Sequence, residues 1–233
     1  MIEIKDLHVG YYKDLNILQG VSLNAEEAKI TAVLGANGVG KSTLLKAIYG
    51  FLKPRAGQIL LKGHDIAGTP SHHLIELGVS YIPQHSSVFP HMSVDDNLRL
   101  GAWTFRRDKV RIQRKLAENY ERFPILRDRR NDNAGLLSGG MQRMVEVGRT
   151  LMTDPQLILV DEPTAGLAKM LSAGVYKMLA NLRDKEGLTI ILVDQEIRQA
   201  LKIADYVYVL ELGRNRVDGP VEEFTDLKKA LWD

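Results

Sequence analysis

The 233-residue sequence contains no cysteine, which excludes a disulfide scaffold, thiolate metal sites and a cysteine nucleophile, and fits a reducing compartment. It also lacks any apolar run near the ~20 residues that cross a bilayer, and Met1 leads into Ile2-Glu3-Ile4-Lys5-Asp6 without a signal-peptide core. Membrane contact is therefore expected only through another protein. Neither sign of charge dominates: 31 Lys and Arg against 29 Asp and Glu leave +2, too even for the whole-chain field to attract a polyanion. The basic stretches from Arg106 to Lys115 and from Arg127 to Arg130 are interrupted or flanked by Asp108, Glu118, Glu121, Asp128 and Asp132. Such mixed runs at helical spacing face water, so no nucleic-acid partner is expected.

What is present suits one large α/β domain with a sizeable buried interior. Short apolar strands at Ile30–Leu34, Gln58–Leu61, Val79–Ile82, Leu157–Val160, Thr189–Val193 and Tyr206–Leu210 alternate with helical patterns, which predicts a mostly parallel core sheet covered by helices. Ligand loops then belong at the carboxyl ends of those strands. The N-terminal third alternates instead, with Ile2/Ile4, Val21/Leu23 and Ile59/Leu61 around Gly20, Gly57 and Gly63, and reads as an antiparallel β subdomain. Between Pro83 and Thr150 strand signals vanish and helices are expected, one capped by Ser93 with Asp96 three residues on, one over Asp108–Arg122 and one over Gly139–Met152. The expected division is a core formed by residues 1–85 and 151–233, with an α-helical subdomain inserted at 86–150. A last helix carrying Val221, Phe224, Leu227 and Leu231 is expected after Gly219-Pro220.

The run Gly35-Ala36-Asn37-Gly38-Val39-Gly40-Lys41-Ser42 fits G-x-x-x-x-G-K-[ST], with a strand before it and a helical pattern after it, the context a phosphate-binding loop (P-loop) of the NTPase type requires. Its glycines let backbone N–H groups turn towards phosphate oxygens while the helix end adds positive partial charge. Gly35, Asn37, Gly38, Gly40, Lys41, Ser42 and Thr43 are thus the expected nucleotide contacts. Lys41 would reach the β- and γ-phosphates, and the Ser42 hydroxyl would ligate Mg²⁺.

Four further motifs follow in order: Tyr81-Ile82-Pro83-Gln84, Leu137-Ser138-Gly139-Gly140-Met141, Leu157 to Asp161-Glu162, and Pro163-Thr164-Ala165-Gly166-Leu167. On these and the phosphate loop, the chain resembles the nucleotide-binding subunit of ATP-binding cassette (ABC) transporters over essentially its full length. The resemblance implies ATP and Mg²⁺ as ligand and cofactor. Asp161 would orient the metal, and Glu162 would act as general base or polarise the attacking water. Gln84 would offer its amide to metal or water and serve as a hinge. Tyr12 matches the aromatic that stacks on adenine, with Tyr11 as the competing residue. Ser138, Gly139 and Gly140 head a helix and form an anion site that meets the γ-phosphate held by a partner chain.

The resemblance also implies a permease as partner, reached from the cytoplasmic face of the membrane, and a solute-binding protein indirectly. Val88, Phe89, Pro90 and Met92 either line the groove for a permease helix or belong to the helical subdomain's core. Three positions depart from the family's usual text. Gln195 replaces the switch histidine, Ala168 an aspartate that joins the two sites, and Met141 a Gln or Glu. Gln195 can hydrogen-bond phosphate or water but cannot carry imidazolium charge, which leaves the base role to Glu162. The same replacement, with Gln199 to Asp205, is similar to the subfamily serving branched-chain and other hydrophobic amino-acid uptake. The expected function is ATP hydrolysis driving import of amino acids or related amides, by a heterodimer with a paralogous subunit in preference to two copies. The alternative is a soluble ABC-type ATPase acting on DNA or ribosomes.

Overall fold

Ile30–Leu34 is buried at every position, as are Leu157–Asp161 and Thr189–Asp194. A strand apolar on both faces needs cover on both sides, the condition of a central strand with helices above and below. The computed structural model describes residues 1–12 and 15–224. In chain order the elements are β1 (Ile2–Val9), β2 (Leu18–Ala25), β3 (Ile30–Leu34), α1 (Lys41–Ile48), β4 (Ala56–Leu61), β5 (His64–Asp65), α2 (Ser71–Glu76), β6 (Val79–Ile82), α3 (Val94–Leu100), α4 (Lys109–Arg122), α5 (Pro124–Asp128), α6 (Gly139–Leu151), β7 (Leu157–Asp161), α7 (Lys169–Glu186), β8 (Thr189–Asp194), α8 (Ile197–Ala200), β9 (Tyr206–Glu211) and β10 (Arg214–Pro220).

These strands form two sheets. The larger has the order β10-β9-β3-β8-β7-β6, with β3 parallel to both β8 and β9, β7 parallel to β8, and β10 antiparallel to β9. The smaller, β2-β1-β4-β5, is antiparallel and puts Ile4 opposite both Leu23 and Ile59. The alternating residues of that sheet, Ile2, Ile4, Val21, Leu23 and Ile59, share one buried cluster with Leu44, Leu45 and Ile48 of α1 and with Val33, Ile191 and Val193 of the large sheet. Each such side chain contributes about 1.5–3 kcal/mol by leaving water. The helix that follows the phosphate loop is thereby pinned by its apolar face.

The described chain divides into two compact units: Met1–Tyr81, Gln156–Glu162 and the residues from Tyr176 form one, and Ile82–Pro155 with Pro163–Val175 form the other. In the second unit the Ser93 cap read from the sequence is in place, and Asp108 caps α4. Ser93 Oγ accepts the Asp96 N–H at 3.0 Å and donates to the Asp96 carboxylate at 2.6 Å, and Asp108 Oδ1 accepts the Arg111 N–H at 2.9 Å. Each cap contributes about 1 kcal/mol. Val88 and Met92 are half-buried while Phe89 and Pro90 are exposed, so this stretch is surface and not the core of the helical unit. The buried Asn97 side chain fixes its backbone, accepting the Phe89 N–H at 2.8 Å and donating to the Phe89 carbonyl at 3.0 Å.

Gly219-Pro220, expected to precede a last helix, closes β10, which pairs Val217 with Val209 and Gly219 with Val207. A proline is tolerated there because an edge strand need not donate every N–H. Val221–Phe224 forms a short 3₁₀ turn with Phe224 buried, and Leu227 and Leu231 lie outside the described residues.

Candidate functional site

The parallel register brings three chain exits together. Leu34 is opposite Asp194 and Asp161 is opposite Val193, so Gly35, Gln195 and Glu162 all leave the large sheet at the carboxyl ends of neighbouring strands. Gly35 and Gly40 are required by shape as well as by backbone. A Cβ on Gly35 (φ +152°) would stand 2.5 Å from the Leu210 carbonyl oxygen, and one on Gly40 (φ +109°) 2.6 Å from Leu18 Cδ2. Gly40 is the N-cap of α1 and supplies no side-chain cap, and the first turn of α1 holds no acid. The orphan N–H groups at that helix end therefore remain suited to an anion.

Inside the loop Lys41 is only 4 % exposed, and its Nζ donates to the carbonyls of Gly35 (3.0 Å) and Ala36 (3.1 Å). Glu162 Oε1 lies 3.7 Å from the same Nζ. Glu162 has a left-handed backbone (φ +40°), an uncommon conformation for a long side chain, and its N–H donates to the Val193 carbonyl at 2.9 Å. This bend follows directly on β7 and holds a second carboxyl at the strand tip beside Asp161.

Asp161 is buried and both its oxygens are engaged. Ser42 Oγ donates to Oδ1 at 2.8 Å, and the Tyr81 hydroxyl donates to Oδ2 at 2.9 Å. Burial and the adjacent Asp161 carboxylate push the Tyr81 hydroxyl well above the ordinary phenol range, so it stays protonated and remains a donor. The Tyr81 ring stacks on Tyr49 with centroids 5.4 Å apart and meets Phe51 edge-on at 5.7 Å, which fixes the direction of the hydroxyl. A hydroxyl and one carboxylate converging beside a phosphate cradle suit Mg²⁺, which takes few protein oxygens and completes its shell with phosphate and water. Among the described residues there is no cluster of three or more His, Cys, Asp or Glu side chains that would suggest an all-protein metal cage.

Beyond β8, Gln195 is exposed and its backbone is set by Asp194. The buried Asp194 carboxylate accepts the N–H groups of Gln195 (2.8 Å) and Glu196 (2.9 Å) on Oδ1 and the Tyr176 hydroxyl (2.6 Å) on Oδ2. Burial pushes this carboxyl up and those three donors pull it back. Tyr12 is 76 % exposed, with its carbonyl bonded by Arg55. Tyr11 leans on α1, its hydroxyl 3.5 Å from Thr43 Oγ1 and 3.4 Å from Lys46 Nζ. The two tyrosines thus have different surroundings, one open and one tied to the phosphate-loop helix. Asn37 and Gly38 are exposed at the loop's crest.

Gln84 and Ser138–Gly140 belong to the second unit. Ser138 is the N-cap of α6, its Oγ accepting the Met141 N–H at 3.4 Å, and the first turn of α6 holds no acid. A Cβ on Gly139 would lie 2.7 Å from Leu167 Cδ2, so the Ser-Gly-Gly turn packs against the Gly166-Leu167 stretch of the same unit. Sequence reasoning missed the supporting residues Tyr81, Tyr176 and Asp194. Asp194 stood at an apolar strand's end, a readable signal. The two tyrosines reach their partners across 80 and 18 residues, and although Tyr81 opens a named motif, nothing local marks either partner.

The comparisons agree with this geometry. The ABC transporter family model matches residues 18–165. The probable branched-chain amino acid transport ATP-binding protein LivF of Archaeoglobus fulgidus is 37 % identical over 98 % of this chain and 96 % of its own length. The high-affinity branched-chain amino acid transport ATP-binding protein BraG of Pseudomonas aeruginosa is 38 % identical over 88 % of this chain and 86 % of its own. Among solved structures, the ADP conformation of MJ1267, an ATP-binding cassette of an ABC transporter, superposes with a TM-score of 0.87 at 27 % identity, covering 100 % of this chain and 95 % of that one.

Proposed function

The chain belongs to the ABC transporter family, and from that premise we propose that it is the ATP-hydrolysing subunit of an importer for branched-chain amino acids or related amino acids and amides. The observation that carries the reading is the convergence of Lys41, Ser42, Asp161 and Glu162 on one glycine-lined turn. Gly35, Asn37, Gly38, Gly40 and Thr43 would cradle the phosphates with their N–H groups while Lys41 meets the β- and γ-oxygens. The open ring of Tyr12 is the platform for the base. Ser42, Asp161 and Gln84 would hold Mg²⁺, which when bound neutralises charge on the transferring phosphoryl group. Glu162 orients or deprotonates the attacking water, and neutral Gln195 hydrogen-bonds the γ-phosphate or that water.

Ser138, Gly139 and Gly140 of a second subunit complete the γ-phosphate's surroundings. A triphosphate then binds the closed pair better than the open one, and its cleavage removes that preference. Ala168 and Met141 give up side chains that could serve this junction, which favours a paralogous partner able to supply them. The partly exposed stretch from Val88 to Met92 is the proposed contact for a permease helix, with the chain held at the cytoplasmic face of the membrane through it.

Detergent extraction followed by affinity purification of this chain should recover a multispanning permease together with ATPase activity. Recovery of nucleic acid in a salt-sensitive complex, with no membrane protein, would favour the DNA- or ribosome-directed alternative. A second expected result concerns the metal. Tyr81→Phe removes the donor to Asp161 Oδ2 and leaves the ring stack in place, so the Mg²⁺ concentration giving half-maximal ATPase should rise about tenfold, a common effect of losing an outer partner of a metal ligand. An unshifted Mg²⁺ titration would remove Tyr81 from that role.

A further inference from the structure

The helix that begins with Ser138-Gly139-Gly140 carries a row of charge, buried at Arg143 and Glu146 and half-buried at Arg149, with no part in the chemistry above. Arg143, Glu146 and Arg149 lie three residues apart on α6 and share one face. All three address the same irregular segment after β6. Arg143 Nη1 donates to the Pro83 carbonyl at 3.0 Å and Nη2 to the Gln84 carbonyl at 3.1 Å. Glu146 accepts the Ser87 N–H, and its other oxygen lies 2.7 Å from Arg143 Nη1. Arg149 donates to the Ser87 carbonyl at 2.9 Å and to the Ser87 hydroxyl. The side chains of Arg143 and Glu146 are 5 % and 2 % exposed.

Three features argue that this is more than packing. Apolar side chains of similar volume would hold two segments at least as well, because desolvating ions opposes much of their attraction. What the charged row adds is direction: a planar guanidinium fork fixes two consecutive carbonyls, and a carboxylate fixes an N–H three residues on. Four backbone groups of Pro83, Gln84 and Ser87 are thereby satisfied by one helix, which removes the freedom expected of a linker. The clasp is also close to the Ser-Gly-Gly cap, since Arg143 follows Gly139 by four residues, about 6 Å along the axis. The boundary between the two units falls between Tyr81 and Ile82, ahead of the clasped segment.

We infer that Arg143, Glu146 and Arg149 are positioning residues that make Gln84 part of the same rigid body as the Ser138–Gly140 cap. Any bearing of the clasp on turnover rests on the proposed role of Gln84, whereas the clasp itself does not.

The test compares Arg143→Met, which loses the fork, with Arg143→Lys, which keeps the charge beside Glu146, and with Glu146→Gln, which keeps an acceptor for the Ser87 N–H. In the full chain, hydrogen exchange at the amides from Gln84 to Ser87 should accelerate about tenfold in Arg143→Met, and less in Arg143→Lys and Glu146→Gln, with the remaining amides of α3 and α4 unchanged. In the purified complex, kcat should fall about tenfold in Arg143→Met with KM for ATP within about twofold of wild type, because the phosphate cradle is untouched, and Arg143→Lys should recover part of the loss. Wild-type exchange at Gln84–Ser87 in Arg143→Met would overturn the clasp, and so would loosening spread evenly over the whole second unit. If the wild-type complex hydrolyses no ATP, the functional reading fails while the exchange result still decides the clasp.

Discussion

Replacing Glu162 by Gln is expected to abolish ATP turnover, by about 10³-fold, while ATP binding persists and an ATP-bound dimer accumulates. General-base assistance contributes roughly 10²–10⁴ in rate, and an amide of the same shape cannot accept the proton. The replacement keeps the volume of a buried side chain and the same unusual backbone at the tip of β7, so the fold is expected to tolerate it. Binding should be unimpaired for an electrostatic reason. Glu162 Oε1 sits 3.7 Å from Lys41 Nζ, and removing its negative charge leaves that ammonium more available to phosphate. Phosphate release in a single turnover and size-exclusion chromatography with ATP measure the two halves of the result. Turnover at the wild-type rate would take Glu162 out of the mechanism.

The second large effect is expected from Lys41→Ala, which should weaken ATP binding about 10²-fold and also lower stability. Lys41 is buried, and its Nζ serves two loop carbonyls as well as Glu162. Truncating one partner of a buried charged pair costs about 2–5 kcal/mol, much of it because the other charge is left without company. The two effects can be separated. In Lys41→Ala/Glu162→Gln the stranded carboxylate is gone, so the thermal midpoint should recover part of its loss while ATP affinity stays low. Calorimetric melting and titration with a fluorescent ATP analogue provide the two readings. A double variant as unstable as the single one would show that the Lys41 contacts to Gly35 and Ala36 carry the stability alone.

The phosphate loop was legible because its requirements are local. Gly35 and Gly40 occupy backbone geometries that other residues resist, and Lys41 and Ser42 follow within one helical turn. The strands at Ile30–Leu34 and Leu157–Asp161 were legible because five consecutive buried positions need five apolar or functional side chains. Ser93 announced a helix start for the same kind of reason, since a cap satisfies N–H groups two or three residues away. β10 was not legible. Arg214–Pro220 is polar at alternate positions and ends in Gly-Pro, so by its own residues it reads as a turn, and it is a strand only because β9 offers a ladder to pair with.

The amino-acid sequence alone determined the local pieces of this protein: a glycine-lined turn ending in Lys41-Ser42, two acids at a strand tip and a Ser-Gly-Gly helix start, each defined by residues adjacent in the chain. The tertiary structure decided which groups meet. Tyr81 reaches Asp161, Tyr176 reaches Asp194, and Arg143, Glu146 and Arg149 grip the segment around Gln84, over separations of 80, 18 and about 60 residues. Local patterns follow from steric and hydrogen-bonding rules a few residues long. Partnerships across the fold depend on strand order and helix packing, which the whole chain sets at once and no short stretch contains.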